Sequence, residues 1–189
     1  QRQMCIRDSR CQDDEVCICE MSQADTEQVR RIIDIADKDP AGWRKTTLEE
    51  RHKIMFEAAN RLGDMRGDLI GCMCAVTGKT VVEGDVEVSE GIDYARFYTT
   101  TMKKFTALPD VDIVPKGTIL VISPWNFPCA IPIGGIVAGL AGGNTVILKP
   151  ATVAAPVAWL FAKAFWDAGV PKEALQVIIT DRPALKELT

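Results

Sequence analysis

Two short segments hold residues whose types and spacing could do chemistry: Ser123-Pro124-Trp125-Asn126-Phe127-Pro128 and Lys149-Pro150-Ala151-Thr152. Asn126 lies between two prolines that stiffen the backbone, directly after an apolar run. Its side-chain NH2 is a neutral, fixed donor. Such a group can hold a carbonyl oxygen that turns negative as a tetrahedral intermediate forms, an effect worth about 3–4 kcal/mol per donor. Taken alone, the position fits a turn asparagine bonded to its own loop backbone better than a catalytic donor. Lys149 ends the apolar run TVILK and could set its ammonium against ribose hydroxyls or phosphates. Taken alone, it fits a lysine reaching from a strand end to water better.

Other chemistries fall away. There is a single histidine, His52, in the helical stretch LEERHKIMFEAANRL. A Ser-His-Asp or Cys-His site would have to use it, and a multi-histidine metal site cannot be built. Nothing nucleophilic or metal-binding surrounds it, so it reads as an exposed helix-surface residue. The seven cysteines are odd in number, and Gln1 does not begin a basic start followed by an apolar run. They read as reduced thiols in a cytosolic compartment. Cys17-Ile18-Cys19 lacks a second pair nearby, so no metal is expected. Cys72 and Cys74 read as packing residues. Cys129 follows the proline-bracketed loop but has no basic neighbour to lower its pKa, and reads as structural. The net charge of −4 comes without a basic run, which argues against a nucleic-acid face. Residues Gly117 to Leu148 carry no charge and are long enough to span a bilayer. Pro124, Pro128 and Pro132 would break one continuous helix there, so a buried strand, loop, helix and strand are expected and no membrane span.

The elements that must position these groups follow from periodicity. A chain of 189 residues, 47% apolar and 25% charged, is one domain or a little more, with average globular usage. Residues 1–20 show no apolar period. Met4 to Ser9 reads as translated linker sequence, so this part is expected to be a disordered or non-native leader. Residues 21–102 read as helical: one helix from an N-cap at Ser22 to Asp39-Pro40, a second opened by the Thr47–Glu50 capping box and running through about Leu62, a third over about 64–76 and a fourth over about 81–102. Residues 103–116, punctuated by Pro109 and Pro115, read as an edge-strand excursion. Residues 117–189 alternate as strand 118–123, helix 130–141, strand 145–149, helix 153–168, strand 175–180 and a helix from about Arg182. The fold class is therefore α/β: a Rossmann-like parallel sheet of βαβαβα type preceded by an all-helical N-terminal segment. In such sheets ligands bind beyond the carboxyl ends of the strands, where both chemical segments lie. The glycines between the first two strands form no phosphate fingerprint and read as helix-packing and C-cap residues.

The stretch GTILVISPWNFPCAIPIGGIVAGLAGGNTVILKPA closely resembles the aldehyde dehydrogenase superfamily. The resemblance extends back through Trp43-Arg44, Glu50-Arg51, Gly78-Lys79 and Glu90 to Tyr98, and covers roughly residues 25 to 180. EGIDYARFY and the KP after the second strand look most like the glutamate-semialdehyde (Δ1-pyrroline-5-carboxylate) dehydrogenase branch, which includes the dehydrogenase half of bifunctional proline-utilisation proteins. The resemblance implies a truncated aldehyde dehydrogenase fold and an enzyme that oxidises an aldehyde, L-glutamate γ-semialdehyde, through a Cys thiohemiacetal with NAD or NADP. It matches Asn126 to the oxyanion donor. Ile122, Ser123, Pro124 and Trp125 match the segment lining the cofactor, Phe127 a wall of the substrate tunnel, and Lys149 the lysine on the adenosine ribose. Thr152 stands where many members carry a Glu that bonds the ribose 2′-OH, and Asp181-Arg182-Pro183 where many have a glycine-rich turn, so some use of NADP is expected. The nucleophilic Cys and the Glu base belong to later segments in that family. The chain, which reads as a piece of a longer protein, is expected to be inactive alone. A cytoplasmic homo-oligomer is implied for the complete protein, with residues 103–114 resembling strands used in subunit association. Two alternatives stay open: another substrate branch of the same family, and a non-catalytic relative kept for nucleotide binding or assembly.

Overall fold

The computed structural model describes residues 2–7, 17–180, 184 and 186–188. The chain begins with an antiparallel ribbon, β1 (Arg2–Arg7) on β2 (Cys17–Gln23). Four helices follow: α1 (Thr26–Lys38), α2 (Leu48–Asp64), α3 (Arg66–Thr77) and α4 (Val81–Thr106). The C-terminal part alternates as β3 (Thr118–Ile122), α5 (Ala130–Ala141), β4 (Thr145–Lys149), α6 (Ala155–Asp167) and β5 (Leu175–Val177). The three strands form one parallel sheet in the order β3-β4-β5. This is the helical segment and βαβαβ sheet that the sequence predicts.

Local chemistry explains the boundaries. Asp25, Thr47 and Thr80 each cap a helix and exchange bonds with the third residue on: Gln28, Glu50 and Glu83. The first helix thus opens at Asp25 rather than Ser22, because Ser22 lies in β2, paired with Gln3, while Asp25 has Gln28 three residues on. Gly78, at φ 71°, ends α3 in a left-handed turn that a Cβ would strain. Helix α5 is buried between the sheet and α4. A Cβ at Gly139 would lie 2.7 Å from a Val146 methyl, and one at Gly135 2.9 Å from a Val121 methyl. These bare positions let α5 lie directly on β3 and β4. The largest side chains of the core are Trp43, Phe161 and Phe165.

Four expectations are corrected. Residues 2–7 and 17–20, read as lacking a fold, are in strands, and Ile18, Cys19 and Met21 pack on the main core. Apolar side chains with a core to cover and a ladder partner outweigh a weak local pattern. The edge-strand excursion is absent: α4 runs on to Thr106, and residues 107–117 contain no strand. Thr99, Thr100 and Thr106 bond back to carbonyls of the preceding turn, so these hydroxyl-bearing residues are accommodated in the helix. The last strand stops at Val177 and, among the described residues beyond it, only an isolated bridge from Ala24 to Thr180 follows. Cys17 is disulfide-bonded rather than reduced, while Cys19, Cys72, Cys74 and Cys129 are free. The helix predicted from Arg182 falls largely outside the described residues, of which Lys186–Leu188 form a short 3-10 turn.

Candidate active site

Strands β3 and β4 are paired in parallel so that Ile122 stands opposite Lys149. The pairing continues past the strands: Ser123 N–H donates to the Lys149 carbonyl at 3.2 Å, and Ala151 N–H donates to the Ser123 carbonyl at 3.1 Å. The two predicted segments therefore leave one sheet edge side by side, tied by backbone bonds. The site rests on this register. A shift of one residue would move every side chain of a strand to the opposite face.

Beyond Ser123, which is buried, the loop turns outward. Pro124 is half-buried, and Trp125, Asn126 and Phe127 are exposed. Pro128 and Cys129 then return to the interior. Three large apolar side chains at this tip are left in solvent: Ile122 at 53%, Trp125 at 58% and Phe127 at 42% exposure. Lys149 is half-buried at the end of β4, and Thr152 begins a 3-10 turn (Thr152–Ala154) that leads into α6. Exposed apolar surface beside an ammonium, at the carboxyl ends of parallel strands, fits a ligand with flat rings and phosphates. Between β3 and α5, and between β4 and α6, there is no glycine-rich turn.

The loop is held from behind by two residues that the sequence reading did not single out as functional. Glu87, on α4, is 1% exposed. One carboxylate oxygen lies 2.7 Å from the Lys79 ammonium, and the other accepts from the N–H groups of Cys129 and Ala130 at 3.0 and 3.1 Å. The Lys79 ammonium also sits 4.6 Å from the centroid of the Phe127 ring. A sequence signal existed: Gly84, Glu87, Val88, Gly91 and Ala95 recur at helical spacing, so Glu87 is an acid inside a buried stripe.

Cys129 is fully buried, and burial, helped by Glu87, pushes its thiol well above the ordinary range. Cys72 is pushed up to about 11, chiefly by burial. Neither is a nucleophile at neutral pH. His52 is half-buried against Phe56, not fully exposed, with ring centroids 4.4 Å apart. A cavity of about 640 Å3 opens near the end of β5 and the start of α6, lined by Met21, Pro156, Trp159 and Val177 among others. None of the predicted site residues lines it. Arg182 lies outside the described residues. Among the described residues, no helix is long and apolar enough to cross a membrane and no cluster of His, Cys, Asp or Glu could hold a metal.

Comparison with known proteins gives a consistent result. The model of the aldehyde dehydrogenase family matches residues 5–189. A 1-pyrroline-5-carboxylate dehydrogenase of Geobacillus sp. (strain WCH70) is 35% identical over 168 residues, which are 84% of this chain and 33% of that protein. An alpha-ketoglutaric semialdehyde dehydrogenase of Bacillus subtilis (strain 168) is 33% identical over 162 residues, 80% of this chain and 33% of that protein. The chain thus spans about a third of the length of the curated relatives it matches. Among solved structures, proline utilization A from Bdellovibrio bacteriovorus superposes with a TM-score of 0.91 at 24% identity, over 99% of this chain and 20% of that one, a likeness of fold alone. A putative aldehyde dehydrogenase from Bacillus subtilis superposes at 0.85 with 30% identity, over 95% of this chain and 41% of that one.

Proposed function

The chain belongs to the aldehyde dehydrogenase family, and on that premise we propose that it supplies the oxyanion loop and part of the dinucleotide crevice of an enzyme that oxidises L-glutamate γ-semialdehyde to glutamate. The observation that carries this reading is the locked pair of strand tips, with Ile122 opposite Lys149 and the Asn126 loop leaving the same edge. The names of relatives called 1-pyrroline-5-carboxylate dehydrogenase support this choice of substrate. The bound NAD or NADP would accept a hydride from the substrate carbon.

The residues of this chain have separable roles. The Asn126 amide donates to the aldehyde oxygen as the carbon becomes tetrahedral, where charge develops and a fixed dipole counts most. Ile122, Ser123, Pro124 and Trp125 line the nicotinamide end of the crevice, and their apolar surface keeps water away. The Lys149 ammonium holds ribose and phosphate oxygens. Thr152 neither repels nor specifically binds a 2′-phosphate, so NADP is accepted to some degree. Phe127 walls the aldehyde tunnel. The nucleophilic Cys and the Glu base implied by the resemblance belong to segments other than this one, so the 189-residue chain alone turns over no aldehyde. The complete protein is read as a cytoplasmic homo-oligomer acting on a small aldehyde, with neither nucleic acid nor membrane as partner.

One observation favours a second substrate: identity to the alpha-ketoglutaric semialdehyde dehydrogenase is 33%, close to the 35% of the first relative. Initial rates of NAD and NADP reduction by the full-length protein, with both semialdehydes, decide between them. Asn126→Ala is expected to lower kcat about 10²–10³-fold with the melting temperature unchanged. A kcat within twofold of wild type overturns the assignment of Asn126, and no turnover of any aldehyde by the wild type favours the non-catalytic relative.

A further inference from the structure

We infer that the buried Lys79–Glu87 pair is a positioning device for the Asn126 loop, and that the oxyanion donor depends on it for its placement. The inference rests on the reading of Asn126 given above. Glu87 is 1% exposed, and burying a carboxylate costs several kcal/mol unless its oxygens are partnered. Here the two oxygens are met from two places in the chain: Oε1 lies in ion-pair contact with Lys79, before α4, without a hydrogen bond, and Oε2 accepts from the amides of Cys129 and Ala130 at the start of α5.

Three features argue for positioning over plain stability. First, α5 has no cap of its own: the residue at its N-cap is Cys129, whose side chain makes no capping bond. A Ser or Asp there would serve stability locally. Instead the cap comes from a carboxylate 42 residues earlier, which ties the end of the loop to a different helix. Second, the clamped amides lie three and four residues after Asn126, with buried Pro128 between them. Three residues span at most about 10 Å and a proline removes further freedom, so the clamp leaves Asn126 little slack. Third, the Lys79 ammonium that neutralises Glu87 also faces the Phe127 ring, beside Asn126. One cation thus touches the brace and the loop together. An oxyanion donor must be set to within about 0.5 Å, and a misplacement of about 1 Å costs roughly 10²-fold in rate.

A double-mutant cycle in the full-length enzyme tests this. Glu87→Gln keeps the shape but loses one acceptor oxygen and the charge. It is expected to lower kcat about 10-fold or more, with KM for the dinucleotide within twofold of wild type. In the Asn126→Ala background it should lower kcat by less than twofold further, since there is no donor left to misplace. Lys79→Met should show the same non-additivity, and Lys79→Arg should restore at least half of the wild-type kcat. If Glu87→Gln yields no folded protein, the lysine pair carries the test. Equal losses in both backgrounds, or a lower melting temperature with unchanged kcat, overturn the inference. If Asn126→Ala alone leaves kcat unchanged, the reading of the loop fails first and the inference falls with it.

Discussion

The two ends of α5 meet the same physical problem and solve it with opposite charges. At the N-terminal end, free amides are met by the Glu87 carboxylate, and at the C-terminal end the Ala141 carbonyl is met by the Arg51 guanidinium at 3.1 Å. Each charge complements the helix dipole at its own end. Both side chains are buried, at 1% and 9% exposure, and both arrive from other helices, α4 and α2. The ends are about 17 Å apart at the helical rise. Only the first adjoins the loop that carries Asn126. A second donor, the Trp43 indole Nε1, reaches the Leu140 carbonyl at 3.2 Å, so the remote end is held more redundantly than the end beside the site. The difference separates two uses of a buried charge: one holds a helix in place, the other holds the helix and what precedes it.

That contrast can be broken in stability as well as in rate. The largest expected effect is at the N-terminal end. Glu87→Ala strands a Lys79 ammonium that is only 14% exposed, and should cost about 3–5 kcal/mol in urea unfolding. A cost below about 1 kcal/mol would mean that water replaces the carboxylate freely. Next comes Arg51→Met, which keeps the packing but leaves the Ala141 carbonyl without its donor. We expect a loss of about 1–3 kcal/mol and a kcat equal to wild type; a kcat that fell as far as in Glu87→Gln would erase the distinction between the ends. Thr80→Ala, which removes the cap of the helix carrying Glu87, should cost about 1 kcal/mol by thermal melting, and no loss would show that α4 is fixed by its packing alone.

The smallest effect concerns pH. His52 adjoins Arg51 on α2, and burial, with Lys103 adding and Glu49 opposing, holds its pKa below the ordinary 6.5. The unfolded chain then binds the proton more readily. The contribution of His52 is fully present above about pH 6.5 and is lost as the pH falls through the lower folded value. His52→Phe should flatten the decline in stability between about pH 7 and 5, and an unchanged slope would assign that decline to other groups.

The same contrast shows what the residues could reveal. Strand β4 and helix α5 lie at Thr145–Lys149 and Ala130–Ala141, as periodicity predicts, because an uncharged run punctuated by prolines and glycines admits few alternatives. The Thr47–Glu50 box opens α2 for a reason that is entirely local. Residues 103–116 misled because β-branched residues and prolines mark an extended chain, whereas here the helix absorbs the first of them. The strand tips were legible at Asn126 and Lys149, whose types suggest chemistry. The brace was only half legible: the helical stripe that runs through Glu87 marks a buried acid, but in EGDVEVSEG that acid looks like its solvated neighbours until α4 is laid on α5. Two of its three partners are backbone amides, which leave no mark in a sequence.

The central claim is that the two parallel strand tips form one dinucleotide site. Calorimetric titration of NAD into the full-length protein tests it most directly, comparing wild type with Lys149→Ala. One site per chain is expected, with Kd raised about tenfold, or roughly 1.4 kcal/mol, by the substitution. An unchanged Kd would place the dinucleotide elsewhere and contradict it.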